Sequence, residues 1–262
     1  MASAPVAISF RELGLRFGHD EQTPLVIDGL DLDVSPGEFL CIVGPTGCGK
    51  SSLLNLLAGL TLPSVGQILL NGEPLRGLNR AAGYLFQADA LLPWCTARDN
   101  VAAGLQFRGS SRAEARRIAG EWLARVGLGE AAQRYPHELS GGMKKRVALA
   151  QMLAVDPQLL LLDEPFSALD VQTRAAMENE LLRLWSAEQR TVVFITHDLE
   201  EAIALGDRVV VLSAGPGSHV VGDYRVDLPR PRAVEEIRLT PEFVELRREI
   251  WGLLREQVRP RT

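Results

Sequence analysis

The first seventy or so residues alternate short apolar runs with polar turns. The runs VAISF, LVIDGLDLDV and QILLNG are bounded by Gly, Pro and Asp, a pattern that predicts antiparallel strands. Within this region FLCIVG leads straight into a glycine-rich loop, and the following KSSLLNLLAGL has the apolar spacing of a helix. We therefore expect antiparallel strands beside a strand–loop–helix unit.

The pattern changes in the middle of the chain. From about Gln87 to Pro157 helical patterns replace the strands, in ARDNVAAGLQF, RAEARRIAGEWLARVGL and SGGMKKRVALAQMLAV. Strand patterns return with QLLLLD and TVVFIT, each followed by a helical segment, which is the alternation of a parallel sheet. The chain is thus predicted to be an α/β core interrupted by a helical subdomain at about 88–157.

A Pro/Arg-rich stretch, VDLPRPR, precedes an amphipathic tail helix. The apolar positions that recur at helical spacing are Phe243, Leu246, Ile250, Leu253 and Leu254. This face either packs on its own domain or contacts a partner or a second copy. We predict one domain over 1–235 and a helical tail over 236–262.

Composition narrows the class of protein. The chain has 262 residues, of which 46% are hydrophobic and 23% charged, as in an ordinary globular protein. The net charge of −5 argues against a protein whose main task is to hold nucleic acid. The start, MASAPVAISFREL, lacks the basic and apolar regions of a signal peptide, and the apolar runs are far shorter than the roughly 18 residues that span a bilayer. We expect a soluble intracellular chain that reaches a membrane only through a partner.

The strongest motif is GPTGCGKS, which fits G-x-x-x-x-G-K-[ST] between a predicted strand and a predicted helix. Its glycines let backbone N–H groups approach phosphate oxygens, Lys50 would reach the β and γ oxygens, and Ser51 would offer its hydroxyl to Mg²⁺. The predicted nucleotide-binding residues here are Gly44, Pro45, Thr46, Gly47, Cys48, Gly49, Lys50, Ser51 and Ser52. The fold class expected is therefore α/β, a P-loop NTPase core with an antiparallel β subdomain and an inserted helical subdomain.

Cys48, at the mouth of the predicted helix, leaves two interpretations open. A helix N-terminus can lower the pKa of a thiol and make it oxidisable, or the cysteine is only a small spacer. Together with Cys41 and Cys95 it forms no metal-like spacing, which suits a reducing cytosol.

Two carboxylates follow the apolar run LLLLDEP, at the strand end where parallel sheets bind ligands. Asp163 would position Mg²⁺, and Glu164 would orient or deprotonate the water that attacks the γ-phosphate. His197 ends the next strand and could contact the γ-phosphate or hold that water, although a lone histidine is usually structural. Gln87 could reach Mg²⁺ or the water, although a glutamine alone indicates almost nothing.

A second anion-binding helix start is predicted at LSGGMKKR, residues 139–146. Ser140 would cap the helix, and Gly141 and Gly142 would expose its first N–H groups to an anion. Three cations follow. One chain thus carries two phosphate-binding helix starts.

The ordered motifs GPTGCGKSS, LFQADALLPW, LSGGMKKR, LLLLDEPFSALD and ITHD resemble the ATP-binding cassette (ABC) family of transport ATPases. The resemblance runs from Phe17 to about Leu212, most of the chain. It implies an ABC ATPase domain over 1–235 that binds ATP and Mg²⁺. The metal residues implied are Ser51, Gln87 and Asp163, and the catalytic residues implied are Lys50, Gln87, Glu164 and His197.

The resemblance also implies that two copies pair head to tail. Ser140, Gly141 and Gly142 would contact the γ-phosphate held by Lys50 of the second copy, while the cations Lys144, Lys145 and Arg146 would face solvent or the interface. Further roles implied are stacking of Phe17 on adenine, a D-loop position for Asp170 at the dimer interface, and a switch role for His197. Core packing is the alternative for Phe17. Met143 stands where many members have glutamine, past the phosphate-contacting glycines, and Ser52 replaces the usual threonine after Ser51, which is a mild change. No catalytic position of the family is missing.

The segments LLPWCTARDNVAAGLQFRG, DEPFSALDVQTR, THDLEEAIALGDRVVVLS and VDLPRPR resemble the nitrate/sulfonate/taurine importer subfamily. That resemblance implies a homodimer on the cytoplasmic face of the inner membrane. It would drive two permease subunits that are fed by a binding protein, and it would have no nucleic-acid partner. The surface near Gln87, Leu91, Leu92, Pro93 and Trp94 would accept the permease, although packing within the chain also explains these apolar residues. Alternatives are a soluble ABC ATPase acting on nucleic acid or ribosomes, and a cassette of a two-component exporter.

Overall fold

The computed structural model describes residues 7–18, 22–88, 90–167 and 169–258. The strands, in chain order, are β1 (Ile8–Leu15), β2 (Ile27–Val34), β3 (Phe39–Val43), β4 (Val65–Leu70), β5 (Glu73–Pro74), β6 (Ala82–Leu85), β7 (Leu159–Asp163), β8 (Thr191–Ile195), β9 (Arg208–Leu212) and β10 (Val220–Arg225). The helices are α1 (Lys50–Leu57), α2 (Ala97–Phe107), α3 (Arg112–Arg125), α4 (Gly141–Ala154), α5 (Val171–Glu188), α6 (Leu199–Leu205), α7 (Val234–Ile237) and α8 (Pro241–Val258). Short 3₁₀ turns lie at Gly129–Ala131 and Pro136–Glu138.

The N-terminal strands form an antiparallel sheet in the order β2-β1-β4-β5, as the three apolar runs predict. Alternate residues of β2 are buried, so one face of this sheet is packed and the other meets solvent. Its buried residues join α1 in one apolar cluster.

The second sheet has the order β10-β9-β3-β8-β7-β6 and carries the site. Its strands run parallel except for β10, which pairs antiparallel with β9. β3, β7 and β8 are buried at every position, which explains why they appear in the sequence as unbroken apolar runs. Their carboxyl ends lie side by side at one edge of the sheet, where ligands bind in folds of this kind.

The parallel sheet lies between two apolar layers. Along β3, Leu40 and Ile42 pack with α1 and the antiparallel sheet, whereas Phe39, Cys41 and Val43 pack with α4, α5 and α6. The two-residue period of a strand produces this division. The α/β class and the P-loop core are thus confirmed.

The helices α2, α3 and α4 fill the chain between the neighbouring strands β6 and β7. They have an apolar cluster of their own, rich in alanine and including Val101, Leu123 and Val147. Serine and threonine side chains cap them: Thr96 accepts from Asp99 N, and Ser111 accepts from Glu114 N. This is the stretch in which the sequence predicts helices and no strands.

The tail helix α8 packs on its own domain. Phe243 and Ile250 are buried in the large cluster that contains α6, and Leu246, Leu253 and Leu254 pack against that cluster. The helix is amphipathic, and Trp251, on another face, is 55% exposed. No helix within the described ranges is both long and apolar enough to cross a bilayer.

Glu178 on α5 and Glu201 on α6 are almost completely buried acids. Burial raises the pKa of Glu178 to about 7, although Arg238 donates to both of its carboxyl oxygens at 3.2 and 3.1 Å. Burial likewise raises the pKa of Glu201 to about 8, against the lowering effect of the Thr196 hydroxyl. A raised carboxyl pKa means that the folded protein binds protons more tightly than the unfolded chain does.

We therefore expect unfolding free energy to fall as pH rises from about 4.3, the ordinary glutamate pKa, towards about 8. The slope contributed by one such group is up to about 1.4 kcal/mol per pH unit. Glu201→Gln removes this group, so its urea midpoint should fall less between pH 5.5 and pH 8 than that of the unmodified protein. Glu200→Gln is the matched control, since Glu200 is partly exposed and pairs with Arg247. Equal pH dependence in the two variants would refute the assignment to Glu201.

Candidate active site

The loop Gly44–Gly49 joins β3 to α1 and presents backbone N–H groups. Gly47 and Gly49 have φ of 81° and 96°, a region in which L side chains are strained. A side chain at Gly44 would lie 3.1 Å from the carbonyl oxygen of Leu212, so the loop also needs glycine for close packing. Among the residues that the structure describes, no side chain caps α1, and the first N–H groups of this helix therefore remain available to an anion.

Lys50 and Ser51 follow this loop directly. The Lys50 ammonium donates to the carbonyl oxygens of Gly44 and Pro45 at 2.9 and 3.0 Å, which holds its charge over the loop. The Ser51 hydroxyl donates to Asp163 Oδ1 at 3.1 Å, at the end of β7. Burial raises the pKa of the Asp163 carboxyl, against the lowering effect of that hydrogen bond. This edge of the sheet thus places a cation and a desolvated carboxylate beside the helix start.

Glu164 connects three segments of the chain. Its carboxyl Oε2 lies 3.0 Å from His197 Nδ1 and accepts a hydrogen bond from Gln87 Nε2 at 3.2 Å. Its φ of 43° is unusual for a residue with a side chain, and its N–H donates to the Ile195 carbonyl at 2.9 Å. Such strained positions occur often at active sites, where the surrounding structure maintains them. The three polar side chains predicted separately are therefore in contact.

A cavity of about 640 Å³ opens between these groups and the P-loop, a usual size for a small-molecule site. Its lining residues are Phe17, Val26, Thr46, Gly47, Gly49, Lys50, Ser51, Ser52, Gln87, Glu164 and His197. Phe17 is 57% exposed at the rim, which rules out the alternative of core packing. An aromatic ring at that rim can stack on a base, while the phosphates would extend towards Lys50.

The second predicted anion site lies outside this cavity. Ser140 caps α4 by accepting from Met143 N at 3.3 Å, and Gly141 is exposed. A side chain at Gly142 would lie 2.7 Å from the methyl group of Thr173 on α5. Asp170 caps α5 by accepting from Thr173 N at 3.0 Å, and such hydrogen bonds lower the pKa of its carboxyl. The two helix starts are therefore neighbours, apart from the cavity formed by their own chain.

Lys145 contradicts the expectation that the cations after the glycines face solvent or an interface. It is 4% exposed, and its ammonium donates to the carbonyl oxygen of Gln87 at 2.6 Å. Arg146 is partly buried and donates to the Val126 carbonyl. The expectation was wrong because helical spacing turns position 145 inward, where a lysine can satisfy the carbonyl of a loop. Only Lys50, Lys144 and Lys145 are lysines in this arginine-rich chain, and that rarity was the available signal.

The surroundings of Cys48 decide between an oxidisable thiol and a small spacer. Its thiol is fully buried beneath the loop, and burial raises its pKa, so the thiolate is disfavoured. A side chain at Gly44 would lie 3.0 Å from its sulfur. Cys48 therefore acts as a small packing residue.

Tyr84 is a residue of this region that the sequence did not reveal. Burial raises the pKa of its phenol, as does the nearby Asp163. Its hydroxyl donates to Asn55 Oδ1 at 3.1 Å and thereby links β6 to α1. A tyrosine in an apolar strand gives no sequence signal for such a position.

A family model described as ABC transporter matches residues 27–167, just over half of the chain. The chain belongs to the ABC transporter family. It is an ATP-binding cassette that hydrolyses ATP, and the cavity beside Lys50 is the place where its residues suit a nucleotide.

Curated relatives cover nearly the whole cassette. A putative ATP-binding protein of Brucella abortus is 47% identical over 250 residues, which are 95% of this chain and 94% of that protein. The bicarbonate transport ATP-binding protein CmpC of Synechocystis is 45% identical, and the nitrate import ATP-binding protein NrtC of Synechococcus elongatus is 44% identical. Each of these two matches covers 90% of this chain but 36% of the relative.

Solved structures show the same fold. The cassette MJ0796, in a dimeric post-hydrolysis state bound to ADP and Pi, superposes with a TM-score of 0.74 at 31% identity. A second dimeric structure of MJ0796, called a bacterial ABC transporter cassette, gives a TM-score of 0.75. Both matches cover 85% of this chain and 100% of the other.

Proposed function

We propose that this cassette is the ATP-hydrolysing subunit of an importer for a small solute, such as nitrate, a sulfonate, taurine or a related compound. Support comes from the import and transport proteins NrtC and CmpC, which match 90% of this chain. Nitrate and bicarbonate are both small oxyanions, which favours a cargo of that class. The relatives do not favour an action on nucleic acid or ribosomes.

Mg²⁺ fits the pair formed by Ser51 and Asp163. A hydroxyl and a carboxylate lie 3.1 Å apart beside the cavity, the donor set with which P-loop proteins hold this ion. A cation here would offset the cost of keeping the Asp163 carboxylate away from water. When bound, Mg²⁺ neutralises phosphate charge. Gln87 is the third metal residue that the family resemblance implies. In this structure its side-chain amide donates to Glu164.

Glu164 is the group that carries hydrolysis in this proposal. Its carboxylate accepts the proton of the attacking water, while the contacts with Gln87 and His197 fix its direction. Lys50 and the loop N–H groups stabilise the charge that develops on the phosphate oxygens. The single observation behind this assignment is the Gln87–Glu164–His197 contact at the rim of the cavity.

A second copy completes the site. Ser140 and Gly141 lie outside the cavity of their own chain, and Gly141 has open space around it. In a head-to-tail pair they would face the nucleotide of the other copy, with Asp170 at the interface. The dimeric structures of MJ0796 support the pairing of two cassettes in general.

An apolar groove beside the Gln87 loop suits a permease segment. A cavity of about 750 Å³ is lined by the exposed side chains of Leu60, Leu78, Phe86 and Phe107, and Arg80 and Arg108 also contribute to its wall. Trp94 is 74% exposed, whereas Leu91 packs into the apolar clusters, so the predicted surface is exposed only in part. The sequence did not indicate this groove because its residues come from distant segments. Through such contacts the cassette would sit on the cytoplasmic face of the membrane, under permeases fed by a binding protein.

Phe107→Glu should weaken binding to the permease at least tenfold, because it removes a large exposed apolar side chain from the contact surface. Phe107 is 90% exposed, so the isolated cassette should retain its fold and its basal ATPase activity. The measurement is copurification with the co-expressed permease and solute uptake in cells that depend on this transporter. Leu239→Glu is the matched control, since Leu239 is 83% exposed on the C-terminal segment.

The copurification and ATPase measurements test the permease-binding groove and the importer function separately. Loss of copurification in Phe107→Glu but not in Leu239→Glu supports the groove. Equal copurification of both variants excludes it. ATPase activity stimulated by nucleic acid, with no permease bound, would overturn the importer.

A further inference from the structure

Glu164 and His197 come from different strands, yet their side chains must remain in contact. Glu164 follows β7 and begins the turn that leads to Asp170, while His197 lies between β8 and α6. Their contact of 3.0 Å joins two partly exposed groups. The pairing of β7 with β8 and the hydrogen bond from the Glu164 N–H to the Ile195 carbonyl hold the two strand ends together. Beyond the strand ends, the two turns are joined by a further contact outside the cavity.

Arg174, in the first turn of α5, bridges these two turns. One guanidinium nitrogen donates to the carbonyl oxygen of Leu169, at the end of the turn that starts at Glu164. Another donates to Asp198 Oδ2 at 3.3 Å, directly after His197. The other oxygen of Asp198 caps α6 by accepting from the N–H groups of Glu200 and Glu201. A single planar guanidinium thus connects both backbone turns that bear the reacting side chains.

The ion pair between Arg174 and Asp198 is partly buried. The side chain of Arg174 is 28% exposed, and that of Asp198 is 32% exposed. The Arg174 Nε atom is buried and has no partner among the described residues. A buried N–H group without a hydrogen-bond partner costs free energy, and an ion pair exposed to water does not carry that cost. Arg174 also follows Asp170 by one helical turn, and its neighbour Thr173 lies beside Gly142 of α4, the helix that starts in the LSGGMKKR motif and is called the signature helix below.

We propose that Arg174 is a positioning residue that holds Glu164 and His197 in register and couples them to the Asp170 interface. This rests on the proposed roles of Glu164 and His197. Arg174 itself lies outside the cavity, so its replacement should leave ATP binding unchanged and lower only turnover.

Arg174→Gln should lower kcat about 10- to 100-fold with KM for ATP within about twofold, since a misplacement near 1 Å is enough for such a loss. Arg174→Lys keeps the charge but not the planar fork, and it should fall between Arg174→Gln and the unmodified protein. Asp198→Asn retains the helix cap and breaks the ion pair, so it should lose turnover in the same direction. The double variant should be no slower than the slower single variant, because both remove one contact. Arg183→Gln is the control, since Arg183 lies on the same helix and pairs with Glu180 at the surface.

Different results would contradict the hydrolytic role of Glu164 and the positioning role of Arg174. If Glu164→Gln remains active, the proposed hydrolytic role is wrong. If Glu164→Gln is inactive but Arg174→Gln matches Arg183→Gln in kcat, the positioning role is wrong. Additive losses in the Arg174/Asp198 pair, or a rise in KM equal to the fall in kcat, would also overturn it. Should Arg174→Gln fail to fold, Arg174→Lys and Asp198→Asn give the same two comparisons.

Discussion

Glu164→Gln is expected to lower ATP turnover by about 10²–10⁴-fold while ATP binding stays close to that of the unmodified cassette. Glutamine has nearly the same shape as glutamate, so the strained turn and the cavity should persist. It cannot accept a proton from water at neutral pH. The measurements are steady-state hydrolysis, nucleotide affinity, and the size of the protein with ATP and Mg²⁺.

Nucleotide should therefore accumulate unhydrolysed in the variant. We expect an ATP-bound dimer on gel filtration that the unmodified cassette shows only transiently. Glu200→Gln is the matched control, because Glu200 lies three residues after His197 and pairs with Arg247 outside the cavity. Full turnover in Glu164→Gln would show that another group accepts the proton.

The strands and helices of the core could be predicted because their signals are local. β3, β7 and β8 are buried on both faces, and this alone produces the apolar runs that mark them. The P-loop glycines are likewise visible because a left-handed backbone demands glycine at Gly47 and Gly49. The separation of the signature helix from the cavity was expected only through the family resemblance.

Contacts between segments that are distant in the chain were harder to predict from the sequence. The sequence shows Gln87, Glu164 and His197 one by one, but their hydrogen bonds depend on strand order. The burial of Lys145 was predicted wrongly, since a run of cations normally indicates a solvated face. Arg174 is one of many arginines, and only its position between two turns sets it apart. A charged side chain gives no sign in the sequence of which distant carbonyl it will meet.

Ser140→Arg is expected to abolish ATP-dependent dimer formation and to lower turnover by about 100-fold or more, the usual cost of losing a single anion-binding contact at a transition state. ATP binding to the same chain should remain, because Ser140 does not line the cavity that contains Lys50. Arginine also removes the cap on α4, which costs about 0.5–2 kcal/mol of stability. Ser111→Arg controls for that loss: Ser111 caps α3 in the same way and lies away from the signature glycines.

Mixing two inactive variants distinguishes a site shared between copies from a site within one chain. Ser140→Arg keeps its P-loop, and Lys50→Ala keeps its signature helix. In a head-to-tail pair of one copy each, one of the two sites regains an intact Lys50 and an intact Ser140. We therefore expect the mixture to recover ATP-dependent association and part of the turnover that neither variant shows alone. If the signature helix served its own chain, every site in the mixture would still lack one component, and no activity would return.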